Sequence, residues 1–281
     1  MKKITSLILA CLMLFALAAS FASCAGEDTI IVHTNAYFAP FEYYEGKNIV
    51  GVDVEIMNMV GEKLGKKVEF TNVDFAAIID NVKNGEVCDA GAAGITVTPA
   101  REEKVAFSIP YYTSVQYVIF KVDDTSLATK NANGKEYMVW EALAGKKIGT
   151  QTDTTGWIYT DGEIGDGVLT DTNTTHKNFD NAQLAADAII ANQIDAVIVD
   201  ELPAQFIVSN NSKLRCVPLY YSGETDDKDA PVEEEYAICV TKGNTELLAA
   251  IDEVLTELLV KDANGQSQIE KMVMKHMGFS D

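Results

Sequence analysis

From about residue 29 to the end of this 281-residue chain, short apolar runs of strand length alternate with longer segments of helical period, and this alternation constrains the fold more than any other feature. Strands covered by helices on both faces have no polar side, so they read as short hydrophobic runs. The pattern therefore predicts an α/β protein with mostly parallel sheets. The strand candidates are residues 30–34, 67–73, 88–95, 115–120, 147–151, 194–199 and 236–240. Between them, 53–66 puts Ile56, Met59, Val60 and Leu64 on one face with its charges opposite. Asp74 precedes Phe75, Ile78, Ile79 and Val82, and Gly85 falls where a helix ends in a left-handed residue. Asp180 with Gln183 forms a capping-box pattern ahead of Leu184, Ala188 and Ile189, and Asn244 caps a helix through Leu247, Ile251, Leu255 and Leu258. Two turn-rich stretches, 123–135 and 160–178, read as solvated surface. The second carries Asp161, Asp166 and Asp171, but Gly165 and Asp166 occupy the wrong places for a calcium loop.

The N-terminus sets the compartment. Met1, Lys2 and Lys3 precede an apolar run over 4–19, the charged and hydrophobic regions of a secretory signal, too short to span a bilayer in the mature chain. Phe21-Ala22-Ser23-Cys24 resembles a bacterial lipobox, with Phe21 where that motif usually has Leu. The expectation is that residues 1–23 are removed and Cys24 is lipidated, tethering an exported protein to the outer face of the cytoplasmic membrane. Ordinary cleavage, leaving it free in the periplasm, is the alternative. Nothing after residue 24 is long and apolar enough to span a membrane. The leader holds two lysines and no acid, so its loss takes the net charge from −20 to −22, which argues against nucleic acid or anionic headgroups as partners. Cys88, Cys216 and Cys239 are an odd number in apolar contexts and read as buried free thiols. His33, His176 and His276 are scattered, without metal spacing or a nucleophile beside them. Neither a metal, a cofactor nor a catalytic residue is expected.

Three positions suit a charged small molecule. In Gly94-Ile95-Thr96-Val97-Thr98-Pro99-Ala100-Arg101, a strand ends, Thr98 is a good N-cap, Pro99 suits the first helical position and Arg101 falls in the first turn. A cation there opposes the helix dipole unless an anion sits nearby, and a carboxylate would meet free N–H groups and a bidentate fork together. Arg101 and Arg215 are the only arginines beside twenty lysines. A surface pair with Glu102 stands as an equal reading. Gln151-Thr152-Asp153-Thr154-Thr155-Gly156 also lies at a strand-to-helix turn, where simple capping is the stronger reading. Asp200 follows the apolar run 194–199, at the carboxyl end of a strand where α/β sheets hold ligands, and either meets an ammonium or caps the helix that Pro203 helps to start. Arginine and threonine for a carboxylate, with aspartate for an amine, describe an α-amino acid.

In order, Phe38-Ala39-Pro40-Phe41-Glu42-Tyr43, Gly51-Val52-Asp53-Val54-Glu55, Asp89-Ala90, the 95–101 stretch and Phe107-Ser108-Ile109-Pro110-Tyr111-Tyr112 resemble the polar amino-acid-binding proteins of ABC importers, the type II periplasmic binding proteins of solute-binding family 3. The resemblance runs from about Thr34 to the C-terminus. It implies a two-lobed α/β fold with a two-strand hinge, lobe 1 from 29–113 and 221–281, and lobe 2 from 114–220. It implies that Arg101, Thr96 and Thr155 clamp the ligand carboxylate, that Asp200, the Gly94 carbonyl and Thr96 hold its ammonium, and that Asn35, Phe38, Phe75 and Gln151 meet its side chain. The partners it implies are a free amino acid and an ABC permease, served by a monomer that closes around its ligand and does no chemistry on it. Asn35 stands where members preferring basic ligands often carry Asp, and no second cation awaits an acidic side chain, so the expected ligand is a polar, uncharged amino acid. Asp153 replaces a Gly of the usual threonine-rich turn. The scaffold also hosts cyclohexadienyl and arogenate dehydratases, and a ligand-sensing module of a signalling system is a further alternative.

Overall fold

The computed structural model describes residues 29–132, 134–225 and 228–279. The leader over 1–23 and Cys24 lie outside the described residues.

Beside a three-stranded antiparallel sheet of Tyr37–Phe38, Glu42–Glu45 and Asn48–Val50, two large sheets carry the chain. The smaller runs in the order Lys67–Asn72, Thr29–Thr34, Ala90–Gly91, Cys239–Val240, Ala106–Phe107. Thr29–Thr34 pairs in parallel with both neighbours, and Ile30 and Val32 are buried beneath the helices that connect them. Val52–Leu64 makes the first connection and Phe75–Asn84 the second, each closed by a left-handed glycine, Gly65 or Gly85. Thr245–Leu258 and Gln268–His276 pack on Val52–Leu64. Asn244 caps Thr245–Leu258 by accepting from the Leu247 N–H at 3.3 Å.

The larger sheet runs Thr175–Phe179, Lys147–Gln151, Ala196–Asp200, Tyr112–Lys121, Leu214–Thr225, Lys135–Val139, Lys130–Ala132, with Lys228–Pro231 and Glu233–Tyr236 paired onto it. Lys147–Gln151 is parallel to both its neighbours, joined to them by helices including Ala182–Ile190. Parallel pairing thus centres on the helix-connected strands. Tyr112–Lys121 and Cys239–Val240, which take the chain out of the smaller sheet and back into it, pair only antiparallel.

The chain leaves the smaller sheet after Phe107 and re-enters it at Cys239, by way of two strands that pair antiparallel, with Tyr112 opposite Tyr236 and Val115 opposite Glu233. Their aromatic side chains lock together. The Phe41 ring lies 5.0 Å from Tyr236 and 5.1 Å from Tyr112, both edge-on, and such pairs add about 0.5–1.5 kcal/mol each beyond their burial.

Local differences from the sequence reading have identifiable causes. Asn181, not Asp180, caps Ala182–Ile190, since it is the last extended residue and its side chain accepts from the Leu184 N–H at 2.9 Å. Helix Thr155–Gly165 and strand Thr175–Phe179 take up both ends of the stretch read as a surface loop, and Lys130–Ala132 forms a strand in the other. Cys88 and Cys239 are buried and Cys216 partly so, all three as free thiols. Among the described residues no helix is long and apolar enough to cross a membrane.

Candidate functional site

Arg101 is built into the molecule from a single turn. Thr98 is extended and its hydroxyl accepts from the Arg101 N–H at 3.3 Å, Pro99 follows at the first position, and the helix is only Pro99–Glu102. One turn has little dipole, so the dipole expected to favour an anion here is weak. The side chain supplies the charge instead. The guanidinium is turned inward and 7% exposed, donating from Nη1 to the Thr96 carbonyl at 2.8 Å and from Nη2 to the Asp153 carbonyl at 2.9 Å. It lies 5.4 Å from the centre of the Phe75 ring. It joins none of the ion pairs among the described residues, so the surface pair with Glu102 does not form. Asp153 stands at φ +61°, the left-handed conformation a Gly would take, which aims its carbonyl at the guanidinium.

Asp200 ends the strand Ala196–Asp200, every residue of which is buried, and precedes helix Glu201–Ser209. Its carboxylate does not cap that helix. It accepts instead from Gln116 Nε2 at 2.7 Å and from the Tyr236 hydroxyl. In the threonine-rich turn, Thr154 caps helix Thr155–Gly165 and leaves Thr155 free to point inward, its Oγ1 3.4 Å from that of Thr96. Gln151 donates to Asn35 Oδ1 at 2.9 Å, and Asn35 donates to the Val73 carbonyl at 2.7 Å. Gly94 stands at φ +52° with its N–H donating to Asp53 Oδ2 at 2.9 Å, and a Cβ there would come within 2.7 Å of the Phe38 ring.

Asn35, Phe38, Phe75, Gly94, Thr96, Arg101, Gln151, Thr155 and Asp200 all line one cleft, with about 440 Å³ of atom-free space that opens to solvent. Glu42 lines it too, unforeseen in the sequence. Among the described residues neither of its oxygens meets a donor; burial first, then the facing Asp53 carboxyl and the charge of Asp200, raise its pKa well above the carboxylate range. Burial raises Asp53 to about 6, against the opposing bonds from the Tyr111 hydroxyl at 2.6 Å and from Gly94.

Glu234 was likewise unforeseen. On the crossing strand Glu233–Tyr236 it is 3% exposed, and its Oε2 accepts from Thr96 and from Thr155, each at 2.8 Å. Its Oε1 accepts from Gln116 at 3.0 Å. Burial and then the neighbouring Asp200 raise it to about 8. Asp200 itself is raised by burial, and burial lowers Arg101. The histidines lie elsewhere: His33 meets Asn81, His176 joins Thr150 and Asp161, and His276 joins Tyr43 and Glu55. No metal-ligating cluster occurs among the described residues.

A family model described as bacterial extracellular solute-binding proteins, family 3, matches residues 30–271. The arginine-binding extracellular protein ArtP of Bacillus subtilis strain 168 is 28% identical over 279 residues, 98% of either chain. A solved ancestral arginine-binding protein bound to arginine is 30% identical with a TM-score of 0.71, covering 88% of this chain and 97% of its own. A solved substrate-binding protein of an amino acid ABC transporter is 27% identical with a TM-score of 0.70, covering 88% and 98%.

Proposed function

The chain belongs to the bacterial extracellular solute-binding proteins of family 3, and we propose that its solute is an α-amino acid with a cationic side chain, gripped between Arg101 and Asp200 and passed unaltered to an ABC importer. The observation that carries this is the charge balance of the cleft. One guanidinium, Arg101, lines the cleft with the carboxyl groups of Glu42 and Asp200, and those of Asp53 and Glu234 are buried behind them. A carboxylate on the solute meets the guanidinium fork and an ammonium meets Asp200, which accounts for two of the charges. A zwitterion adds no net charge, whereas a basic side chain brings a further cation, beside which Glu42, held protonated by burial in the empty cleft, can ionise. An acidic side chain would add to the excess. This moves the expectation from an uncharged side chain to a basic one, and the relatives named for arginine lie in the same direction.

The contacts come from both sides of the crossing strands. Asn35, Phe38, Phe75, Gly94, Thr96 and Arg101 belong to one lobe, and Gln151, Thr155 and Asp200 to the other. A solute that touches both stabilises the closed form over the open one by its differential affinity. The lobes are taken to be residues 29–111 with 237–279, and 112–236, because strands Leu214–Thr225 and Lys228–Pro231 pair within the larger sheet and carry the return crossing past residue 221. The protein acts as an exported monomer tethered through a lipid on Cys24, which mass spectrometry of the membrane fraction tests.

Calorimetric titration against the twenty amino acids, ornithine and cystine tests the reading. Arginine, lysine, ornithine or histidine should bind most tightly, and glutamate should not bind. A chain that takes up no amino acid, or one that converts prephenate or arogenate to product, would overturn it.

A further inference from the structure

The geometry points to Glu234 as the positioning residue of the cleft: by accepting the hydroxyl protons of Thr96 and Thr155 from opposite lobes, it turns both oxygens into acceptors for the solute's ammonium and ties the lobes together at that point. For its solute the inference rests on the amino-acid reading above, while its effect on the empty protein does not.

A threonine hydroxyl has one proton and two lone pairs. Thr96 and Thr155 both spend that proton on Glu234 Oε2, each at 2.8 Å, and their own oxygens stand 3.4 Å apart. Neither can then donate to a carboxylate in the cleft. Their remaining lone pairs suit a donor, and beside them Asp200 offers a further acceptor. The solute carboxylate is left to Arg101, whose fork keeps N–H groups beyond those bound to Thr96 and Asp153. Glu234 thereby fixes which end of the zwitterion lies where, a division of labour different from the one the family resemblance implies for the two threonines.

The same carboxylate is placed to link binding to protons. Gln116 Nε2 donates to both Glu234 Oε1 and Asp200 Oδ1, at 3.0 and 2.7 Å, holding two acids side by side. The charged and titratable groups facing them are Arg101, Tyr159 and Tyr236, with Glu42 facing Asp200. In the empty cleft the Asp200–Glu234 pair retains a proton at neutral pH, because two buried carboxylates in contact resist ionising together. An arriving ammonium supplies the missing charge and displaces that proton, so affinity rises with pH through neutrality.

The test titrates L-arginine into the wild-type chain, E234Q and T155V at pH 7, in two buffers of different ionisation enthalpy, and melts each empty protein from pH 5 to 8. Wild type should release close to one proton per arginine bound. E234Q should bind about ten- to a hundredfold more weakly without that release, consistent with loss of charge-assisted buried bonds, and T155V should weaken binding in the same direction. Empty wild type should lose stability as pH rises, and E234Q should lose markedly less. If E234Q binds within threefold of wild type with the same proton release, the positioning role is wrong. If no amino acid binds wild type, the proposed solute is wrong, and the melts decide the role of Glu234 alone: parallel pH profiles for wild type and E234Q would overturn it.

Discussion

Replacing Arg101 by alanine removes the only cation that lines the cleft among the described residues. The guanidinium is held by two carbonyls at 2.8 and 2.9 Å and stacks on Phe75, so it is fixed in place before a solute arrives. Truncating one partner of a buried, hydrogen-bonded charge pair costs about 2–5 kcal/mol. With tenfold in affinity for about 1.4 kcal/mol, the loss for arginine should lie between roughly 30-fold and several thousand-fold. Folding should respond far less. The variant gives up two hydrogen bonds worth about 1 kcal/mol each, but it also escapes the desolvation of a buried charge. The melting temperature should thus shift by only a few degrees, on the order of what 1 kcal/mol produces in a chain of this size. Arg101→Lys separates charge from geometry, because a single ammonium cannot serve Thr96, Asp153 and a carboxylate at once as the planar fork does. Calorimetry gives the affinity and circular dichroism the stability. Arg101→Ala binding within threefold of wild type would refute the carboxylate clamp, and a collapse of the fold with no separate binding defect would make Arg101 a structural residue.

Glu42→Gln should cost basic amino acids about tenfold or more in affinity while glutamine changes little, since only a cationic side chain draws the buried, protonated Glu42 into its ionised form; equal losses for both, by calorimetry, would remove Glu42 from side-chain recognition. Gly94→Ala forces a Cβ to 2.7 Å from the Phe38 ring at φ +52°, and should cost about 1–3 kcal/mol of stability and weaken binding, read by thermal melts beside titrations. The empty protein should also lose stability as pH rises from about 5 to 8. Folding raises Asp53 to about 6 and Glu234 to about 8, so the folded state keeps protons that the unfolded carboxyls release above roughly pH 4. Saturating arginine should flatten that slope, and a melting temperature that climbs over this range would contradict the burial of these acids.

Much of the architecture was legible because strands covered by helices are apolar throughout, as in Ala196–Asp200, and because Gly85 and Asn244 end and begin helices through local bonds that depend on few neighbours. Thr98-Pro99 marked the turn that carries Arg101 for the same reason. Glu234 was not legible. In Glu233-Glu234-Glu235-Tyr236 three acids in a row look like a solvated edge, yet strand alternation exposes Glu233 and Glu235 and buries Glu234 and Tyr236, so only the pairing with Tyr112–Lys121 discloses which acid faces inward. Glu42 was hidden similarly, in a strand of four residues whose inner end alone is buried. The second half of helix Thr155–Gly165 is not legible because Gly162 and Gly165 lower helix propensity, which neighbouring structure overrides. The pairing of Leu214–Thr225 with Lys228–Pro231 was not legible either, because neither strand carries a strong periodic signal of its own.

The most direct measurement is a crystal structure of the protein grown with L-arginine. The account expects the α-carboxylate within hydrogen-bond reach of the Arg101 guanidinium, the α-ammonium against Asp200 and the threonine oxygens, and the side-chain cation toward Glu42. Arginine bound outside this cleft, or inside it with its carboxylate turned to Asp200 and Glu234, would contradict it.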